Sequence, residues 1–464
     1  MLLNELVKNS SDVPIDIVYG NDFEVANSIW KSIHNPITEE MITTGNKIPK
    51  LDEMEEVYYN RDASIARDKS VSIQLQEFHN KFVKDIELYS KSVKMLKEAR
   101  RSGAKEEIHL LDLACGKAGD LFKWNKNNIS RVVGIDINSN NIYDPKDGAC
   151  IRYMEFKKKM TAFHIDTPLQ HVDFLYGDIS ENIRSGDAMK SQPSVELHQE
   201  LWSVYNERRF DLVSIQFALH YLFESKTKLD GFLTNVGENL RPGGLFIGTC
   251  FDGNSVYRFL KDKNIGESRT GEISGKIIYK IKKLYNNVGE ELPSNIQGVG
   301  LPIEVYIPSI NQSIKEYLVS YELLKEEMAK IHLVPVETEL FSEIYDRYRD
   351  KVVLKDVEQE LSFLNRRFIF RKLEQDEIMV EVAFNQIKNL RDSNNKVVTS
   401  ALSTGLQQNS WESLRTLLPQ LKIEISDSEF PVLTRRLSEQ LMSKSMGGTV
   451  IKRRKTSLKK QVDK

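Results

Sequence analysis

Between residues 108 and 250, short apolar runs and amphipathic stretches take turns along the chain. Runs at 108–113, 131–137, 171–176, 210–217 and 244–250 have the length of buried strands, and the spacing near 118–126, 139–160 and 225–240 fits helices. Alternation of this kind predicts βαβ units, and hence an α/β fold with a doubly wound, parallel sheet. Arg241-Pro242-Gly243-Gly244 reads as the stop of one helix and the opening of the next strand. Upstream, Ile73, Leu75, Phe78, Phe82, Ile86, Leu88, Val93 and Leu96 recur at helical spacing and predict a helix over 72–101.

After residue 250 the pattern loosens. Strand-like runs at 275–281 and 303–307 lie among Gly, Pro and Asn, as in an insertion over about 253–312. Helices are expected at about 314–331 and 338–348, with a closing strand over 363–370. Residues 373–464 read as a helical or low-order extension ending in the basic run Lys452 to Lys460, and residues 1–70 as an arm or the end of a preceding module. The expected main domain is therefore 71–372.

Composition narrows the class. A chain of 464 residues suggests two to three folded parts, and 40% hydrophobic with 28% charged residues is ordinary for a soluble protein. The formal charge of −2 at pH 7 conceals the basic end. Cys115, Cys150 and Cys250 form no CxxC pair, so neither a disulfide framework nor a metal site is expected. Met1 is followed by mixed polar sequence and no apolar run is long enough to span a bilayer. The expectation is a soluble intracellular protein without a membrane partner.

The chemistry concentrates in residues 108–136. A strand runs into the small-residue turn Ala114-Cys115-Gly116, a helix follows, and the next strand ends near Asp136. Such a turn lets a ligand approach the backbone, and an acid at the tip of the second strand can accept from a ribose. The three positions of a dinucleotide fingerprint read Ala114, Gly116 and Gly119, so the first glycine is missing. Asp112 inside the motif suits a ligand carrying an ammonium group, such as the methionine part of S-adenosylmethionine, and would repel a pyrophosphate. Asp178, after the third strand, can accept from an adenine amino group, and the fourth strand ends in Gln216-Phe217.

These features sit inside longer motifs. Leu111-Asp112-Leu113-Ala114-Cys115-Gly116-Lys117-Ala118-Gly119-Asp120-Leu121-Phe122-Lys123-Trp124 is similar to LDLGCGKGGDLLKW of the mRNA cap guanine-N7 methyltransferase family. Gln216-Phe217-Ala218-Leu219-His220-Tyr221 resembles its QFxxHY, Leu240 to Gly244 its LxPGG, and Phe78-His79-Asn80 with Lys84 its upstream helix. The likeness covers roughly 57–370 and is strongest to the methyltransferase part of the capping enzymes of large DNA viruses. It implies a Rossmann-like, class I methyltransferase fold with a mostly parallel seven-stranded sheet and an inserted cap-binding region. It implies that Lys84, Ala114, Asp136, Asp178, Ile179, Gln216 and Tyr221 surround S-adenosylmethionine, beside Asp112 and Gly116 of the turn. It implies that Asn80, Lys117, Lys123, Arg152, His220, Glu316 and Asn365 face the capped RNA end. Ala114 and Ala118 replace glycines, which narrows the room for the methionine moiety, and Asn365 stands where cellular members carry a tyrosine.

No general base is needed for that reaction, because guanine N7 already carries a lone pair and a sulfonium leaves readily. Positioning and electrostatics suffice. Glu316 could accept from guanine N1–H and its amino group, and His220 could bond the guanine carbonyl, with Tyr221 beside them. Lys117, Lys123 and Arg152 would pair with the triphosphate. Outside the resemblance, Glu316 reads as a solvated helix residue, His220 as a core-edge histidine and Trp124 as a core anchor. Lys146-Asp147-Gly148 is one residue short of a nucleotidyl-transfer Lys-x-Asp-Gly and is rejected.

Residues 1–56 resemble the junction after the guanylyltransferase part of the viral enzymes, so a fragment of a longer polypeptide or a stand-alone version is expected, with other capping modules or a stimulatory subunit as partners. The resemblance places the protein in the host cytoplasm or the virion, whereas the basic tail read as a targeting signal points to the nucleus. Three competing readings stay open: the same fold acting on another nucleic-acid or small-molecule acceptor, a non-catalytic methyltransferase-like RNA-binding subunit, and, well behind, a dehydrogenase.

Overall fold

The apolar runs do become central strands: β1 (His109–Leu113), β2 (Arg131–Asp136), β3 (His171–Tyr176), β4 (Phe210–Gln216) and β5 (Leu240–Phe251). β1 is buried along its whole length, as the near-continuous apolar sequence of a parallel strand covered on both faces requires. The computed structural model describes residues 72–99, 107–162, 167–308, 312–408 and 410–445 of the chain. The expected arm over 1–70 and the basic run 452–460 lie outside the described residues.

The seven-stranded sheet has the order β10-β11-β5-β4-β1-β2-β3, completed by β10 (Leu333–Leu340) and β11 (Asn365–Lys372). β5, β4, β1, β2 and β3 run parallel, and β11 is antiparallel to both β5 and β10. Strand order reverses between β1 and β4. In such sheets a ligand crevice opens at that point, outside the carboxyl ends of the strands. Helices Gln192–Arg208, Lys226–Asn239 and Tyr321–Lys330 bury Trp202, Phe232 and Leu324 against one face, with Leu111 and Val213. The other face receives Leu96, Trp124 and Phe156, packed with Leu110, Val132 and Leu212. The core-anchor reading of Trp124 is therefore right.

Several boundaries differ from the sequence reading. The helix expected over 139–160 is two, Ser139–Tyr143 and Ala149–Ala162, because Pro145 and Gly148 interrupt it. Helix Gln192–Arg208 was not anticipated, although Ser191 at its N-cap, a proline in its first turn and buried His198, Trp202 and Tyr205 are its signature. β5 starts before the expected break: Leu240 already pairs with Phe210, and Arg241 to Gly244 bulge out before Leu245 pairs with Leu212. β10 was missed because it is an edge strand with Pro335 at a register shift, and its half-exposed face carries no clean alternation. The helix expected at 338–348 is confined to Phe341–Tyr348, where the Glu343 carboxylate accepts from the Leu340 N–H at 2.7 Å.

The region after β5 forms a second, four-stranded antiparallel sheet of β6 (Ser268–Ile273), β7 (Lys276–Lys283), β8 (Pro302–Ile307) and β9 (Gln312–Tyr317). β9 corrects the expectation of a helix from 314, since the helix begins only at Tyr321. The upstream helix is continuous from Ile73 to Ala99 but winds as a wide π-helix over Phe78–Ser90. There Lys84, Asp85 and Glu87 are buried while Ile86 is 37% exposed, contrary to the apolar pattern. Tertiary ion pairs decide the point. Lys84 pairs with Asp120 at 2.6 Å and Asp85 with Lys126, while Arg347 reaches Glu87 at 3.1 Å and Arg367, fully buried on β11, lies 3.6 Å from the same carboxylate. After Lys372 the chain is more ordered than expected. Helices Gln375–Asp392, Lys396–Gln408, Glu412–Gln420 and Phe430–Ser445 enclose their own apolar cluster around Phe384, Leu402, Leu414 and Leu433.

Candidate active site

At the carboxyl ends of β1 and β4 the backbone is held in unusual conformations. Ala114, Gly116 and Ala118 have φ of 58°, 54° and 53°, and Phe217, just past β4, has 54°. The left-handed region costs a non-glycine residue of order 1 kcal/mol or more, and such strain persists where surrounding bonds over-determine it. Here Asp136 does so. Its Oδ2 accepts from the Gly116 N–H at 2.7 Å, and its Oδ1 from the Asn138 N–H at 2.9 Å and the Asn141 amide at 3.0 Å. A carboxylate offers about four acceptor positions. Asp136 thus keeps about one acceptor position for a ligand and spends the rest shaping the turn.

Asp112 lies one strand over, 4% exposed, with Oδ1 lacking a hydrogen-bond partner. Burial, with the nearby charge of Asp120, pushes its pKa up to about 7 despite the opposing effects of Ser214 and Lys84. A buried carboxylate that lacks a cation favours its neutral form, so the site fits a ligand bringing a positive charge. The ammonium of S-adenosylmethionine meets that requirement. Gln216 is held by Ser214 at 3.1 Å and by the Thr249 hydroxyl at 3.0 Å. Asp178 already accepts from the Ser180 N–H and hydroxyl at 2.8 and 2.7 Å through Oδ1, with Ile179 beside it, 8% exposed.

Asp120 was not singled out from the sequence, although it lies within the matched motif. Its carboxylate joins Lys84 at 2.6 Å and Lys123 at 2.8 Å. Against the effect of burial, these two cations pull its pKa down to about 2, while burial lowers the pKa of Lys84. Lys123 also donates to the Asn80 side chain at 3.1 Å, so the upstream helix and the motif helix Leu121–Lys126 share one charged cluster. Lys117 pairs with Asp147 at 2.5 Å, and Arg152 follows on the next helix.

Across the crevice, β9 brings Glu316 to His220, with Nε2 and Oε1 3.7 Å apart. The solvated-helix reading of Glu316 fails, for it is a strand residue 4% exposed. Glu316 Oε2 and both His220 ring nitrogens lack a partner in the chain. Burial lifts Glu316 to about 8 and drops His220 to about 3, so both stand neutral at pH 7. Two adjacent buried polar side chains with unused donors and acceptors fit a polar ligand. Tyr221 packs against His220 with ring centroids 4.0 Å apart.

The chain belongs to the mRNA (guanine-N(7))-methyltransferase family. That family's domain matches residues 47–419. The chain is 30% identical over 353 residues to "Probable mRNA-capping enzyme" of Acanthamoeba polyphaga mimivirus, covering 72% of this chain and 28% of that protein. It is 29% identical over 260 residues to "mRNA cap guanine-N(7) methyltransferase" of Schizosaccharomyces pombe, covering 56% and 59%. A third relative, "mRNA cap guanine-N(7) methyltransferase 1" of Arabidopsis thaliana, is 31% identical over 288 residues, covering 58% and 70%. The chain therefore spans well under two thirds of the length of the first two.

The family's tyrosine position deserves separate mention. Asn365 is 3% exposed, and its amide nitrogen donates to the Leu361 and Ser362 carbonyls at 3.1 and 3.0 Å. It closes the end of helix Asp356–Ser362 rather than presenting a flat face. Nearby, His79 bonds the Ser362 hydroxyl at 2.9 Å and stacks on Phe217, with centroids 5.7 Å apart and planes at 27°. Neither His79 nor Phe217 had been given a site role from the sequence. Each is adjacent to a residue that had, Asn80 and Gln216.

Proposed function

We propose that this chain transfers a methyl group from S-adenosylmethionine to N7 of the guanosine cap of mRNA. The observation that carries the reading is the His220–Glu316 pair, buried, 3.7 Å apart and without hydrogen-bond partners in the chain, just past the carboxyl end of β4. Guanine offers N1–H and an amino group as donors and O6 as acceptor on one edge. A Glu316 carboxylate accepts the two donors, and His220 Nε2–H donates to O6.

The donor supplies a methyl group activated by a positively charged sulfur. Asp112 and Gln216 would hold its amino-acid end, Asp136 its ribose, and Asp178 with Ile179 its adenine. Lys84 acts on that site through Asp120. On the acceptor side, an ionised Glu316 against the guanine edge raises electron density at N7, whose lone pair forms the new bond. No proton leaves the attacking atom, so the neutral His220 needs only to orient. Lys117, Lys123, Arg152 and Asn80 line the route expected for the triphosphate, where cations oppose its charge.

The partner is then a capped RNA end, with other capping modules or a stimulatory subunit as further expected partners. The methyltransferase part is assigned to 71–372, with 373–464 an extension; the family match, over 47–419, runs past that part at both ends. Among the described residues no helix is long and apolar enough to cross a membrane. Action on mRNA would place the protein inside the cell. The test is methyl transfer from labelled donor to GpppRNA and ApppRNA. Labelling of the guanosine cap alone is expected, and equal or absent labelling of the two refutes the assignment. A non-catalytic subunit would bind capped RNA without labelling it.

A further inference from the structure

The segment that follows β3 carries Asp178 and Ile179, assigned above to the adenine of the donor. Apart from the bridge between Gly177 and Met189, it belongs to no strand or helix. Asp178 Oδ1 accepts from the N–H and hydroxyl of Ser180. Among the described residues, neither Asp178 Oδ2 nor the Ile179 N–H makes a hydrogen bond. An acceptor and a donor on consecutive residues match the edge of adenine, whose amino group donates and whose N1 accepts.

What holds this segment comes from another element. Asn235, on helix Lys226–Asn239, is fully buried and spends its side chain on the segment. Its Oδ1 accepts from the Ile183 N–H at 2.8 Å, and its amide nitrogen donates to the Ile179 and Glu181 carbonyls at 2.8 and 2.6 Å. One turn earlier, Gly231 brings the helix backbone against the same segment. A Cβ there would stand 1.8 Å from the Ser180 carbonyl oxygen. Both amide hydrogens of Asn235 are used, so it offers a ligand no donor. Its leverage is indirect: the carbonyl and N–H of Ile179 flank one Cα, and fixing the first sets the direction of the second.

We propose that Asn235 is the positioning residue of the adenine site. It touches no part of the donor, but by fixing Ile179 it makes the site selective against a base with the opposite hydrogen-bonding edge. Hypoxanthine is such a base, for it turns a carbonyl towards the Asp178 carboxylate and an N1–H towards the Ile179 N–H. The proposal rests on the adenine assignment of Asp178 and Ile179 and extends that site to a residue of the core.

The experiment is calorimetric titration of the full chain with S-adenosylhomocysteine and with S-inosylhomocysteine. The wild type should prefer the adenine form by about a thousandfold or more, because both contacts are reversed in the other. Asn235→Ala should cut that preference at least about tenfold, by weakening the adenine form while leaving the inosine form nearly unchanged. The KM for S-adenosylmethionine should rise with it, and the KM for capped RNA should not. Thermal melts without ligand show which variants are folded, and if Asn235→Ala is not, Asn235→Ser decides by the same ratio. Hydrogen exchange on the wild type needs no variant: the Ile183 amide should be protected before ligand is added, and the Ile179 amide only after S-adenosylhomocysteine. A folded variant that keeps the preference, or that loses both ligands alike, overturns the proposal and leaves the adenine assignment standing. So does an Ile183 amide that exchanges freely without ligand. A wild type that binds the two ligands equally, or neither, overturns both.

Discussion

Replacing Glu316 by glutamine keeps the shape of the guanine site and removes its titration. Burial raises the Glu316 carboxyl from 4.5 to about 8. In the unfolded chain the group ionises near its ordinary value, but in the fold it stays protonated until about pH 8. Its contribution to stability is therefore full below pH 4.5 and is lost as pH rises to about 8, by a ceiling of about 5 kcal/mol at 1.36 kcal/mol per unit. Glu316→Gln carries no such loss, so its melting temperature should depend less on pH over that window. Binding shows the opposite preference. Guanine's two donors need the ionised carboxylate, so wild-type affinity for a cap analogue should rise nearly tenfold per pH unit from 6 and level off near 8. His220, held neutral by burial down to about pH 3, adds no slope there. In the variant an amide N–H replaces one acceptor and opposes a guanine donor, which should cost about 3 kcal/mol, or roughly a hundredfold in kcat/KM. Calorimetric titration of cap analogue into both proteins across pH 6–9 decides the matter. A flat wild-type profile, or the same slope in Glu316→Gln, would refute the reasoning.

Three further outcomes are expected. Asp136→Ala should abolish S-adenosylmethionine binding in calorimetry while Glu316→Ala leaves it intact and loses turnover; loss of donor binding in both would break the division between the two sites. Ala114→Gly relieves a φ of 58° and should raise stability by about 0.5–1 kcal/mol without weakening the donor, so a lower melting temperature would show that the turn is not strained. Arg367→Ala leaves Glu337 and Glu339 without their buried cation and should cost about 3–5 kcal/mol in urea unfolding. A change below about 1 kcal/mol would mean that the network holds nothing.

The parts of the site that were legible in the sequence are those built from one strand and its turn. Asp112, Gly116, Lys117, Asp136 and Gln216 to Tyr221 sit at strand ends, where local pattern and position coincide. Asp120 was passed over because its importance comes from Lys84, a residue on another helix. β10, with its half-exposed edge and Pro335, and β9, whose residues resemble a helix start, could not be told from helix by periodicity alone. Within the extension after 372, helix Lys396–Gln408 packs Val398, Ala401 and Leu402 into its bundle, and that support comes from neighbours rather than from local sequence.

What the sequence determined was the parallel sheet and the small-residue turn after β1, since both follow from short-range order: apolar runs of strand length, small residues where the backbone must bend, and an acid one strand later. The resemblance already set Glu316 and His220 at one guanine; only the tertiary structure decided that they lie buried side by side, 3.7 Å apart. One comes from β9 of the inserted sheet and the other from just past β4. Their burial together, which leaves a carboxylic acid and a neutral imidazole unpartnered, arises from long-range packing that no local spacing encodes.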